Sequence, residues 1–201
     1  FCRDGKDKSD NTPEYGDYYA RVGHRVFIFE CKDVLIKAEL KHGYNSENIK
    51  KVFIEKFGGE NQGVIQLIKA IKNISECRLE FDKYILENIE KLQFYPIIVY
   101  TDSIMESNGV NYFLNKKFIE LKNEYKCDER INNLILINLD FLIEYKELFK
   151  KQFVKILEIL FPTIEENIQF YLRKEIKDMK YIRDTEYLEI INEVNSEVNF
   201  E

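Results

Sequence analysis

Two short-range features carry the chemistry of this sequence: the tripeptide Glu30-Cys31-Lys32 and, upstream of it, Asp17. Glu30 and Lys32 end the stretch Arg25-Val-Phe-Ile-Phe-Glu-Cys-Lys32, which is β-branched and aromatic and reads as a central strand with both faces buried. Side chains two apart on a strand share a face, so the carboxylate and the ammonium point the same way. Charges at the end of an apolar strand need matching or a bound metal, because desolvating them alone is expensive. Such a pair suits metal-assisted phosphodiester cleavage: the acid holds a divalent ion, and the amine orients or deprotonates water and offsets transition-state charge. The tripeptide is unspecific by itself. Glu-x-Lys also occurs at Glu39/Lys41, Glu120/Lys122, Glu124/Lys126, Glu144/Lys146 and Glu175/Lys177, where exposed faces explain it. Only the pair at 30 and 32 lies on a strongly apolar strand.

Asp17 begins the preceding apolar stretch, Asp17–Arg21, and Gly23 in the short link reads as a hairpin turn. Across that hairpin Asp17 lies near Glu30. The two carboxylates, with the carbonyl of Cys31, form an expected ligand set for Mg²⁺ or Mn²⁺. The competing reading makes Asp17 a turn cap and Glu30–Lys32 a plain ion pair.

The elements that must position these groups follow from periodicity. Residues 46–57 and 61–74 carry apolar residues at helical spacing, with Ser46 as a candidate N-cap and Gly58-Gly59 as the stop between them. Residues 81–92 and 112–125 read as helices, and Pro96–Tyr100 and Asn133–Asn138 as strands. A long helical pattern runs from Asp140 to Leu160, Pro162 breaks it, and another helix is expected over 164–178. Residues 1–14 read as loop. The order fits an α/β domain with a mixed sheet flanked by helices, residues 1–140, followed by a helical C-terminal extension, 141–201, packing on the core or on a partner.

Composition sets the outer bounds. With 45% hydrophobic and 33% charged residues in 201, the chain can bury a core and is not disordered. No apolar run long enough to span a bilayer occurs, and no leader is visible, so a cytoplasmic protein is expected. The first residue is Phe1 rather than Met, the start expected of a processed or truncated chain. Cys2, Cys31, Cys77 and Cys127 match no zinc spacing and are expected to be free thiols, with Cys31 packed against the far side of its strand. His24 and His42 fall in turns and support no nucleophilic triad. The net charge of −6 argues against non-specific coating of nucleic acid. Residues 1–72 nevertheless hold 13 Lys/Arg against 11 Asp/Glu, whereas 140–201 hold 9 against 14, so a nucleic-acid surface is expected in the N-terminal half.

Asp17, the run Arg25–Asp33, and Gln66-Leu67 in a helix after Gly63 together resemble the PD-(D/E)XK nuclease superfamily. The stretch Tyr95–Asp102 with Gly109–Tyr112 is similar to poorly characterised bacterial members of that group. The resemblance implies a restriction-endonuclease-like fold and a Mg²⁺- or Mn²⁺-dependent nuclease, acting on DNA. Asp17 and Glu30 would be ligands, Lys32 would serve the attacking water, and Gln66 would support a ligand or phosphate, with Gln62 its competitor. It also implies a helix and a strand before Asp17, expected to be missing here or supplied by a partner chain or by the segment at Phe1. A catalytically inactive domain of the same type, used for protein interaction or assembly, is the alternative. The aromatic C-terminal helices (Phe149, Phe153, Phe161, Phe170, Tyr171) are expected to form core, a homodimer face or an interdomain contact. A phosphatase-like centre at Asp102 and Asp140, each just after a strand, competes with a capping role for both.

Overall fold

In the computed structural model the described residues are 2–4, 15–33, 35–37, 46–59, 62–76, 82–107, 109–127 and 130–160. Five strands form one mixed sheet in the order of the chain: β1 (Cys2–Asp4), β2 (Tyr18–Val22), β3 (Arg25–Lys32), β4 (Gln93–Tyr100) and β5 (Ile135–Asn138). The first three form an antiparallel meander, and β3, β4 and β5 run parallel. Cys2–Asp4 lies within the segment that reads as loop from sequence. Three residues without apolar alternation give no strand signal, and only pairing with Tyr18–Ala20 makes them one.

Central strands must bury both faces, and β3 does. Val26 and Ile28 pack on one side, Phe27 and Phe29 on the other. The first side is covered by α1 (Ser46–Phe57), α2 (Gly63–Ser75) and α4 (Val110–Glu124), through Phe53, Phe57, Leu67, Ile71, Leu114 and Phe118. The short helix α3 (Lys83–Asn88) adds Ile85 to the same layer. The second side is covered by α5 (Leu139–Glu144) and α6 (Lys146–Leu160), through Phe141, Phe149, Ile156 and Leu157. The long helix expected from Asp140 to Leu160 is thus broken at Tyr145, and α6 is itself kinked at Gln152, whose backbone is not helical. Apolar residues continue at helical spacing across the break, so the pattern conceals it. Phe161, Phe170, Tyr171 and the expected helix over 164–178 lie outside the described residues, as does His42.

Pro96 sits inside the central strand β4, where a missing N–H would normally break a ladder. The Phe94 N–H donates to Arg130 O, so alternation aims position 96 toward the β5 side. There it falls between the isolated bridge at Ile131 and the start of the β5 ladder at Ile135. On the outer side of β5, two buried asparagines one helical turn apart on α4 replace a sixth strand. Asn115 Oδ1 accepts from Leu134 N–H (2.7 Å), and Asn111 Oδ1 accepts from Leu136 N–H (3.0 Å). These amides satisfy edge donors that would otherwise be open to another strand.

A buried clamp fixes β2 to the chain entering α3. Asp82 accepts from Arg21 Nε (2.6 Å), Arg21 Nη2 (3.0 Å) and the Tyr19 hydroxyl (2.9 Å), and caps α3 through Tyr84 N–H. The Arg21 guanidinium also lies 4.1 Å from the centre of the Tyr84 ring. Burial alone would push the Asp82 carboxyl up, but the hydrogen bonds and charge of Arg21, with Tyr19, outweigh it and hold it below its ordinary range. The folded state therefore favours ionised Asp82. This stabilisation is complete above the unfolded value of about 3.9 and is lost as pH falls through the lower folded value. Removing one partner of a buried pair costs about 3 kcal/mol. Asp82→Asn should accordingly unfold at lower temperature at pH 7, and its Tm should fall less than the native protein's between pH 5 and pH 2. Parallel Tm-versus-pH curves would remove Asp82 as the source of that acid sensitivity.

Candidate functional site

Glu30 is the one acidic side chain on β3, and it is only 3% exposed. Its Oε1 lies 2.8 Å from the Lys32 Nζ, as expected of two side chains on one face of a strand. The same ammonium donates to Gln66 Oε1 at 2.6 Å. Gln66 reaches it because α2 begins against β3 with no side chain in the way. A Cβ on Gly63 would stand 3.1 Å from Lys32 Cε and 3.3 Å from Ile98 Cδ1. Of the two glutamines weighed from sequence, Gln66 is thus joined to Lys32. Gln62 lays its stem against Gly59 instead.

Asp17 reaches the same end of β3 by a different route. Its N–H donates to Phe29 O (2.9 Å), and its Oδ2 accepts from the N–H of Cys31 (2.8 Å). The paired register starts at Tyr18↔Phe29, so Asp17 lies just before β2, where its side chain stands in for a backbone acceptor toward Cys31. Gly16 makes the approach possible. At φ +87° it holds a left-handed conformation, and a Cβ there would stand 2.9 Å from both Ile28 Cγ2 and Phe29 O.

Cys31 corrects an expectation. Its thiol is on the far side of the strand from Glu30, but it is exposed rather than packed. Phe27 and Phe29 lie under the α6 layer, while the cover stops short of position 31. The backbone of Cys31 is in register with Val99 on β4.

Nearby acidic groups have structural partners. Asp102 is buried and accepts from Ile36 N–H (2.7 Å) and Ile104 N–H (3.1 Å), so it caps the single turn Ser103–Glu106 and ties down the chain leaving β3. Asp33 accepts from the Thr101 hydroxyl (2.8 Å). Asp140 is exposed in the first turn of α5. The cap of that helix is Asn138, which accepts from Asp140 N–H and donates to Glu106 Oε1, both at 2.7 Å. The Asn138–Glu106 link joins elements distant in sequence, and no local spacing announces it. His24 lies in the exposed β2–β3 turn, its Nδ1 2.9 Å from the Tyr84 hydroxyl.

Two carboxylates, one lysine and one glutamine thus gather where β3 ends. Among the described residues no cluster of three or more His, Cys, Asp or Glu is placed to hold a metal ion. A hard divalent ion does not require one, since Mg²⁺ commonly takes one or two carboxylates and fills its shell with water and phosphate oxygens. Asp17 and Glu30 each offer carboxylate oxygens of the kind such an ion takes. No helix among the described residues is long and apolar enough to cross a membrane.

The Glu30–Lys32 pair carries its own test. Lys32→Met alone leaves a buried carboxylate uncompensated and should cost about 3 kcal/mol in urea unfolding. Adding Glu30→Gln should recover most of that loss, as coupled neighbours do. Simple additivity of the two changes would show that the pair is not energetically coupled.

No family model matches the chain, and no curated protein or solved structure matches it either.

Proposed function

We propose that this chain is a nuclease domain of the PD-(D/E)XK type, with a restriction-endonuclease-like fold, hydrolysing phosphodiester bonds of DNA with Mg²⁺ or Mn²⁺. The observation that carries this reading is Glu30, almost wholly buried at the end of an apolar central strand, with Lys32 2.8 Å away and the Asp17 carboxylate on the N–H of Cys31 between them. A purely structural ion pair gains little at such a depth, so a charged pair retained there favours a chemical role.

In this reading Asp17 and Glu30 hold the ion. A divalent ion held there would supply Lewis acidity toward a phosphate oxygen and make a water more acidic. Lys32 places a positive charge beside the attacked phosphorus and holds or moves the proton of the attacking water at Nζ. Gln66 fixes the direction of that amine by accepting one of its protons. Gly63, buried at the start of α2, lets the Lys32 stem pack directly against the helix backbone.

A second reading, the catalytically inactive interaction or assembly domain, is favoured by one observation. The Lys32 amine is shared between Glu30 and Gln66, and Asp17 is engaged by Cys31 N–H. The two readings part on activity. Incubated with supercoiled plasmid or single-stranded DNA and Mn²⁺, the native chain should cut, and Lys32→Ala should cut on the order of 10²-fold more slowly. Equal rates in both would take Lys32 out of the mechanism. No cutting by either protein would favour the inactive domain.

A further inference from the structure

A groove of about 570 Å³ runs between α1 and α4, on the outside of the helical layer. Lys50 and Ile54 line it from α1; Tyr112, Lys116, Lys117 and Glu120 line it from α4. Lys50 bonds Glu47 and Lys117 bonds Glu120, and both are exposed i,i+3 pairs of the kind that water screens. Lys116 makes no ion pair among the described residues. The groove therefore stays positive in a chain of net charge −6. Tyr112, half exposed, offers a ring face among these lysines.

We propose that this groove is the track by which a single-stranded nucleic-acid segment approaches the Glu30–Lys32 centre, an inference resting on the nuclease reading above. Lysines beside an exposed aromatic ring match the chemistry of an unpaired strand: phosphates meet the cations, and one base stacks on the ring. A duplex keeps its base faces hidden and has no use for Tyr112. Connection to the centre comes from topology and from glycine. Helices α2 and α4 both begin beyond the ends of parallel strands, β3 and β4 respectively, so their N-termini share the rim where Lys32 lies. A Cβ on Gly58 would meet Lys117 Cγ at 3.6 Å and one on Gly59 would meet Gln62 Cγ at 3.2 Å, so the link from α1 to α2 lies between the groove and the start of α2.

The test is fluorescence anisotropy of the full chain with a labelled single-stranded oligonucleotide in EDTA, against the same sequence as blunt duplex. Tyr112→Ala and Lys116→Glu should each weaken single-strand binding about tenfold, and binding should weaken steeply as salt rises. Lys146→Glu, an equal charge change on the opposite face of the sheet, should leave it within twofold, and far-UV circular dichroism checks that each variant folds. Native affinity in both groove variants overturns the proposal. So does a duplex bound as tightly as the single strand with no dependence on Tyr112, or poly-glutamate competing equally well, which would make the groove a site for an acidic protein. Cleavage that survives with groove variants unaffected would sink the track and leave the nuclease reading. Tyr112-dependent binding without any cleavage would sink the nuclease reading and support the groove.

Discussion

A carboxylate buried among hydrocarbon must be matched, and around Glu30 the protein supplies the match within its own strand. Water cannot reach the group in quantity, so its charge has to be answered by a partner at hydrogen-bond distance. Lys32 meets that need because strand geometry puts it on the same face, and because its flexible stem can turn back toward Glu30. The amine in turn requires an acceptor on its other side. Gln66 provides one, which obliges α2 to begin close against β3 and obliges its first residue to lack a side chain.

The surrounding fold can be understood as the means of holding that arrangement still. Parallel pairing of β3 with β4, and of β4 with β5, sends both crossover connections over one face of the sheet, and the strands are buried on both faces. Asp102 and Asp33 lash the segment beyond Lys32 to the end of β4. Gly16 lets the β2 strand lie close enough for Asp17 to reach Cys31 N–H. At the far end of the sheet, the Asp82 clamp on Tyr19 and Arg21 fixes β2. At its edge, Asn111 and Asn115 close β5. Each device is a polar side chain answering backbone or charge that the sheet leaves over. These satisfied networks define one register rather than adding bulk stability.

What was legible in the sequence was whatever apolar periodicity writes locally. The strand ending at Lys32, the strand ending at Tyr100, and helices α1, α2 and α4 are strongly patterned, whereas Gln66 stood out only through the family resemblance. Features that depend on a distant partner were not legible. Cys2–Asp4 becomes a strand only through β2, and Asp82 is placed by Arg21, 61 residues before it. Asn111 and Asn115 look like ordinary polar helix positions until β5 lies beside them. Exposure of Cys31 depends on where the α6 layer ends, and alternation along β3 gives only the face, not its cover. Tyr145 breaks a helix without breaking the apolar pattern.

The central claim is that Asp17 and Glu30 act together as ligands of one divalent ion. Isothermal titration of Mn²⁺ into the native chain, Asp17→Asn and Glu30→Gln tests it most directly. A saturable binding heat in the native protein that disappears in both variants is the predicted result. Identical heats in all three proteins, or none in the native one, would contradict the account.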